Sequence, residues 1–216
     1  MLNLMKRNLY LHKNMLILYL VLLVFYPIYH ALKADYELWL IPIWLIVVMI
    51  AIINTAHAYH LYSRFGHNEA YLFHHSLPVS KRQLLNAHYM TVIGLTLLSA
   101  LLIILYDANK NYIEVNKIQF EFVWCFLATN LFAFIIYFPI SSEKSRKRRD
   151  SVIIYIIGLL IVLPLFIGIV AMAIGMVWYD NPNQFAHVPF DLYYFGVSVV
   201  SAVGTYISQM LRIKNT

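Results

Sequence analysis

Histidines are the residues of this sequence whose type and spacing most suggest chemistry. Six of the nine histidines fall within residues 57–88, namely His57, His60, His67, His74, His75 and His88. The His57-x-x-His60 spacing would place two imidazoles on one face of a helix, and imidazole is a ligand for zinc, copper or haem iron. No His-Glu-x-x-His motif, cysteine partner or cluster of acidic ligands accompanies them. A metal or haem site with His57 and His60 as ligands is therefore an alternative function, and the leading interpretation assigns the chain no metal.

Catalysis and nucleotide binding by the chain itself would need motifs that the sequence lacks. None of its seven glycines is followed by lysine, which excludes the G-x-x-x-x-G-K-[ST] phosphate-binding loop. The single cysteine, Cys125, can form neither an intrachain disulfide nor a cysteine-based metal site. We therefore expect a chain that is not an enzyme and that binds no cofactor of its own.

The composition predicts a protein that crosses a membrane several times. Hydrophobic residues make up 62% of the chain and charged residues 12%, whereas soluble domains average roughly 45–50% and about 25%. Each long apolar run approaches or exceeds the ~20 residues that cross a ~30 Å hydrocarbon core as a helix. We therefore predict an all-α membrane protein, a single permease-like domain over residues 1–216, with six transmembrane helices. The runs cover residues 14–32, 38–56, 89–106, 122–140, 152–177 and 192–211.

The distribution of basic residues predicts the orientation of these helices. Of the 16 lysines and arginines, only Lys33, Lys110 and Lys117 fall in the connections of one side. The positive-inside rule then places both termini in the cytoplasm of a cell membrane, with residues 1–13 as an amphipathic helix along the inner interface. The net charge of +6 reflects this orientation, because no nucleic-acid-binding motif accompanies it. In this arrangement the histidines of residues 57–88 lie near lipid headgroups, which is the commoner reason for such a cluster.

The fifth apolar run is longer than a simple span requires, and two interpretations of it remain open. Pro164 removes a backbone donor near its middle, and three glycines interrupt it further. One interpretation is a tilted, kinked span whose small residues admit a neighbouring helix. The other is a span that ends near Ala171 and is followed by a re-entrant segment, over about residues 172–190, shielded by protein.

The longest connection on the predicted cytoplasmic side contains a pattern of its own. Residues 68–75 indicate a short helix with an apolar surface, and Leu77-Pro78 ends it, because a residue before proline avoids the helical region. Ser80 and Gln83 then form the pattern of a capping box, which starts the helix that enters the third span. A short helix, a proline stop and a firmly started transmembrane helix could pass force from a soluble partner into the membrane.

This connection resembles the loop between spans two and three of ABC-2-type exporter permeases. The resemblance lies in Glu69 and the following Ser76-Leu77-Pro78-Val79-Ser80-Lys81-Arg82-Gln83, and the six-span layout agrees with it. In that family the short helix is a coupling helix that docks on an ABC ATPase subunit, where ATP and magnesium bind. The resemblance implies that the coupling residues here are Glu69, Tyr71, Leu72, Phe73, His74, Leu77 and Pro78.

Within that family, the chain most resembles permeases of staphylococcal phenol-soluble modulin exporters. The narrower resemblance implies export of amphipathic, membrane-active helical peptides and self-protection of a Gram-positive cell against them. It also implies a second permease, homologous or identical, since six spans make a thin wall for a peptide-sized path. The partners expected are thus ATPase subunits, the second permease, the peptide and membrane lipid, with no nucleic acid.

Overall fold

A computed structural model of the chain describes residues 2–33, 45, 57–65, 79–106, 111–137 and 151–214. Within these residues the helices are α1 (Leu2–Leu11), α2 (Lys13–Lys33), α3 (His57–Phe65), α4 (Lys81–Leu105), α5 (Phe122–Tyr137), α6 (Val152–Tyr179) and α7 (Phe190–Lys214). A two-stranded antiparallel sheet, β1 (Asn111–Val115) and β2 (Ile118–Glu121), lies between α4 and α5.

Four helices of the described part of the chain are long and apolar enough to cross a membrane. They are Lys13–Ala31, Lys81–Leu105, Val152–Tyr179 and Phe190–Lys214. The apolar helix over Phe122–Ile136 is shorter. Five of the six predicted spans therefore correspond to helices, and the second, 38–56, lies outside the described residues apart from Leu45. The chain is thus a multi-pass helical protein, and the count of six stays a prediction.

Aromatic side chains hold α4, α5 and α7 together. Tyr89 of α4 stacks on Phe134 of α5, with ring centroids 4.1 Å apart and planes 6° apart. The Tyr89 ring also meets the edge of Tyr206 of α7 at 5.2 Å. Phe126 and Phe134 are fully buried. These contacts join the three helices, because aromatic rings supply large buried areas and specific pair geometry.

The start of α4 and the end of α7 lie at the same end of the bundle. The Tyr206 hydroxyl donates a hydrogen bond of 2.9 Å to Oδ1 of Asn86, and α1 packs on the first turns of α4. At the opposite end, the backbone N–H of Glu121 donates to Oδ2 of Asp191 at 3.2 Å. We call the first of these the α4-start end and the second the hairpin end.

The hairpin of β1 and β2 corrects the expectation of a purely helical chain. Apolar and polar residues alternate along both strands, and Ile113, Ile118 and Phe120 are buried against the bundle. Asn116 and Lys117 connect the strands with φ of 46° and 70°. Left-handed conformation at both central residues is the hallmark of a tight two-residue hairpin turn, and asparagine tolerates it well. A segment predicted as a plain connection is thus an ordered element packed on α6 and α7.

Helix α6 runs without a break from Val152 to Tyr179, so the interpretation that this span ends near Ala171 is wrong. Asp180 ends the helix in a left-handed conformation with φ of 49°. The next residues fold back on the last turns, where the N–H of Asn181 donates to the carbonyl of Gly175 at 3.1 Å. The absence of a side chain at Gly175 permits this approach, because an added Cβ would lie 2.6 Å from the Asn181 oxygen.

Next to Pro164, α6 departs from regular α-helical hydrogen bonding, and two tyrosine hydroxyls donate to its backbone there. Residues 158–162 form a π-helical segment in which the N–H of Leu163 bonds to the carbonyl of Gly158. Since proline has no N–H, position 164 donates to no carbonyl of the preceding turn, where Leu159 and Leu160 lie. The Tyr194 hydroxyl of α7 donates to Leu159 at 2.9 Å, and the Tyr112 hydroxyl of β1 donates to Leu160. Burial, with the Cys125 thiol close by, raises the pKa of Tyr112, so its hydroxyl keeps the proton that it donates.

Candidate functional site

The predicted coupling residues lie outside the described part of the chain, and the structure describes what flanks them. The residues concerned are Glu69, Tyr71, Leu72, Phe73, His74, Leu77 and Pro78. Helix α3 precedes the segment and Val79 follows it directly. If the segment transmits force, each of these flanks must be firmly joined to the membrane helices.

Ser80 fixes the start of α4 immediately after the predicted coupling segment. Its Oγ accepts the Gln83 N–H at 3.2 Å, and its own N–H donates to Oε1 of Gln83 at 3.3 Å. Ser80 adopts the extended conformation of an N-cap, with φ of −70° and ψ of 147°. The capping box predicted from the sequence is confirmed. Two donors at the helix start are satisfied locally, so this end of α4 resists fraying.

The N-terminal helix α1 clamps the same start of α4. Leu4 of α1 is buried with Leu84 and Ala87 of α4, and the partly buried Met5 and Val79 pack around them. One turn further on, Nδ2 of the fully buried Asn8 donates to Oγ1 of Thr91 at 3.3 Å. Val79, the residue next to the predicted coupling segment, therefore packs against a cluster that α1 and α4 form together.

The other flank, α3, is anchored at His57. Its Nε2 lies 3.3 Å from the Tyr19 hydroxyl of α2 and 3.2 Å from Oγ of Ser99 in α4. The Tyr19 hydroxyl and the Ser99 hydroxyl also bond to one another. Ala58, which follows His57, and Leu61, one turn further on, are fully buried. These contacts join the beginning of α3 to α2 and α4.

His57 and His60, the two ligands of the alternative metal site, have different neighbours in the described part of the chain. Nε2 of His57 already faces two hydroxyl groups, and the half-buried His60 ring lies against Tyr59 with centroids 5.9 Å apart. The His57 ring instead approaches His12, at 6.2 Å between centroids. In the part of the chain that the structure describes, no three histidine, cysteine or acidic side chains are placed to hold a metal ion. The His12 neighbour was not expected from sequence, since 45 residues separate the pair.

The chain matches the family described as ABC-2 family transporter protein over residues 3–215, nearly its whole length, and it belongs to that family. It is accordingly the membrane permease subunit of an ABC transporter, a transport protein rather than an enzyme, and its family associates with ABC ATPases. No curated protein and no solved structure matched the chain.

Proposed function

We propose that this chain is the permease of an ATP-driven exporter and that residues 68–78 are its coupling segment. Two ATPase subunits would close on ATP and push this segment, with Glu69 as a polar contact and Tyr71, Leu72 and Phe73 as apolar contacts. ATP and magnesium would bind the ATPase only. A second permease, identical or homologous, would complete the path, and both termini would lie in the cytoplasm with the coupling segment.

The capped and clamped start of α4 is the observation that most supports this mechanism. A push on Val79 reaches a helix whose first turn is closed by Ser80 and Gln83. From there α4 runs 25 residues through the bundle to Leu105. A rigid helix with a satisfied start transmits displacement, whereas a frayed start would absorb it. The Leu4 contact carries the same displacement into α1.

The coupling segment can be tested by assembly with the ATPase. We expect Phe73→Asp and Glu69→Arg each to weaken co-purification of the ATPase about thirtyfold, the usual loss when a central interface residue is destroyed. ATP-driven export in vesicles should be lost with it. Phe73→Leu and Glu69→Gln are the matched controls and should retain most assembly. Intact assembly and export in both disruptive variants would refute the coupling role.

We further propose that the cargo is an amphipathic, membrane-active helical peptide of the phenol-soluble modulin kind. The support is the resemblance of the chain to such exporters, together with a chain that carries 17 tyrosines and 13 phenylalanines able to face an apolar peptide surface. Vesicles holding the permease and its ATPase should accumulate such a peptide with ATP. A scrambled peptide of equal composition and no amphipathic face is the control. Equal transport of both peptides, or of neither, would refute the proposed cargo.

A further inference from the structure

A groove of about 540 Å³ opens between α4, α5 and α7. This volume is in the range of about 300–1,000 Å³ that holds a single small ligand. Its walls are almost entirely apolar and include Met90, Ile93 and Leu97 of α4 with Leu131 of α5 and Val203 of α7. Two of its three helices, α4 and α7, are long and apolar enough to cross a membrane, so we expect lipid around the groove.

The length of the groove matches one leaflet of a bilayer. Along α4 it extends from Asn86 to Leu97, which is about 16 Å at the ordinary rise of a helix. Half of a ~30 Å hydrocarbon core is about 15 Å. One lipid acyl chain, lying along the helices, therefore has the length that this groove accepts.

The α4-start end of the groove carries polar side-chain groups, whereas Thr96, towards the other end, donates its hydroxyl to the Val92 carbonyl. Asn86 and Tyr206 face one another there. Arg82, which is exposed, lies four residues before Asn86 and thus on the same face of α4. Lys214, also exposed, ends α7 two turns beyond Tyr206. The only acidic residue in α4 and α7 is Asp191, at the hairpin end.

We infer that this groove binds one anionic phospholipid, with an acyl chain along the apolar wall and the phosphate at Arg82. The apolar lining selects a hydrocarbon chain, because an unpaired polar group in it would lose its hydration. The positive end selects a negative headgroup, as basic residues beside a membrane do. The inference goes beyond the proposed export function and does not depend on it.

Native mass spectrometry of the full chain can test the inference, using phosphatidylglycerol and phosphatidylcholine with the same acyl chains. We expect one phosphatidylglycerol retained per chain in preference to phosphatidylcholine. Arg82→Gln should reduce that preference about fivefold, the effect of one basic residue near a headgroup. Lys6→Gln is the charge control, because exposed Lys6 lies on α1 and outside the groove.

Two valines of α7 offer a matched pair of substitutions, one inside the groove and one outside it, which distinguish lipid bound in the groove from lipid bound elsewhere on the surface. Val203 lines the groove and is 51% exposed, so tryptophan there can fill it without entering the core. Val200 is 73% exposed and does not line it. Val203→Trp should abolish retention of the lipid and Val200→Trp should not, with both variants unfolding at the parent temperature. Equal retention in the two variants, or no preference between the two lipids, would overturn the inference. Equal retention combined with loss of peptide export in Val203→Trp alone would assign the groove to peptide and also overturn it.

Discussion

Pro164 of α6 lies beside two hydrogen bonds that tyrosine side chains donate to the backbone of the helix. Pro164 withdraws one N–H from α6, and hydroxyl groups from two other elements donate to carbonyls of the preceding turn, those of Leu159 and Leu160. In lipid such donors are needed, because no water is present to donate to a carbonyl that lacks a partner. The two bonds also tie α6 to β1 through Tyr112 and to α7 through Tyr194.

Removing either hydroxyl tests this account. We expect Tyr112→Phe and Tyr194→Phe each to destabilise the folded chain by about 1 kcal/mol, the usual loss of a buried hydrogen bond that leaves its acceptor unpaired. Thermal unfolding of the purified full chain in detergent would measure it. Tyr193→Phe is the matched control, since Tyr193 is 64% exposed. A control that falls as far as the two variants would contradict the account.

Individual residues differ in how far sequence could predict them. The capping box of Ser80 and Gln83 was predictable, because both partners lie within one helical turn and their chemistry is local. The bond from Tyr112 to Leu160 was not, because it spans 48 residues and depends on how the hairpin meets α6. The approach of the His12 ring to the His57 ring was not predictable either, because 45 residues separate the two.

At the scale of elements, apolar length predicted the membrane helices well and predicted the connections poorly. Hydropathy marks a span because about 20 apolar residues are needed, whatever the helix packs against. The hairpin offers only short alternating strands between two apolar runs, and its one local signal is Asn116 before Lys117 at the turn. Alternation over four or five residues is too short to compete with the neighbouring runs.

The turn that follows α6 depends on Gly175, and this contact is testable. Gly175→Ala should destabilise the protein by about 1–3 kcal/mol, because its Cβ would meet the backbone oxygen of Asn181. Gly204→Ala is the control: nothing lies within 4 Å of an added Cβ there, and helix propensity gains up to ~1 kcal/mol. Denaturant unfolding of both variants would distinguish them. If Gly175→Ala were as stable as the parent protein, the Asn181 turn would be able to shift away from the added Cβ at no cost in free energy.

For the whole molecule, the packing of α1 and α7 against α4 brings the two described terminal helices to the same end of the bundle. The positive-inside rule predicts that this end is cytoplasmic, with residues 181–189 on the other side. Charge distribution could predict an orientation, since it depends only on which connections are basic. Charge distribution could not predict which helices contact one another. The residues of these runs that face lipid are as apolar as those that face other helices.

Cysteine labelling would test the orientation. Cys125 is buried and free, so Cys125→Ala supplies a background without a competing thiol. In intact cells, an impermeant maleimide should label His187→Cys and leave Asn3→Cys unlabelled, since both positions are exposed but are predicted on opposite sides. After permeabilisation both should react. Labelling of Asn3→Cys in intact cells would reverse the predicted topology.

The packing of Leu4 in α1 against Leu84 and Ala87 in α4 also has a consequence for biosynthesis. Leu4 leaves the ribosome about 80 residues before Leu84, its partner, and at ~5–20 residues per second this is an interval of about 4–16 s. During that interval the apolar side of α1 has no α4 to cover it. The nascent amino terminus must therefore wait at the lipid surface, or with a chaperone, until the third hydrophobic run has been synthesised.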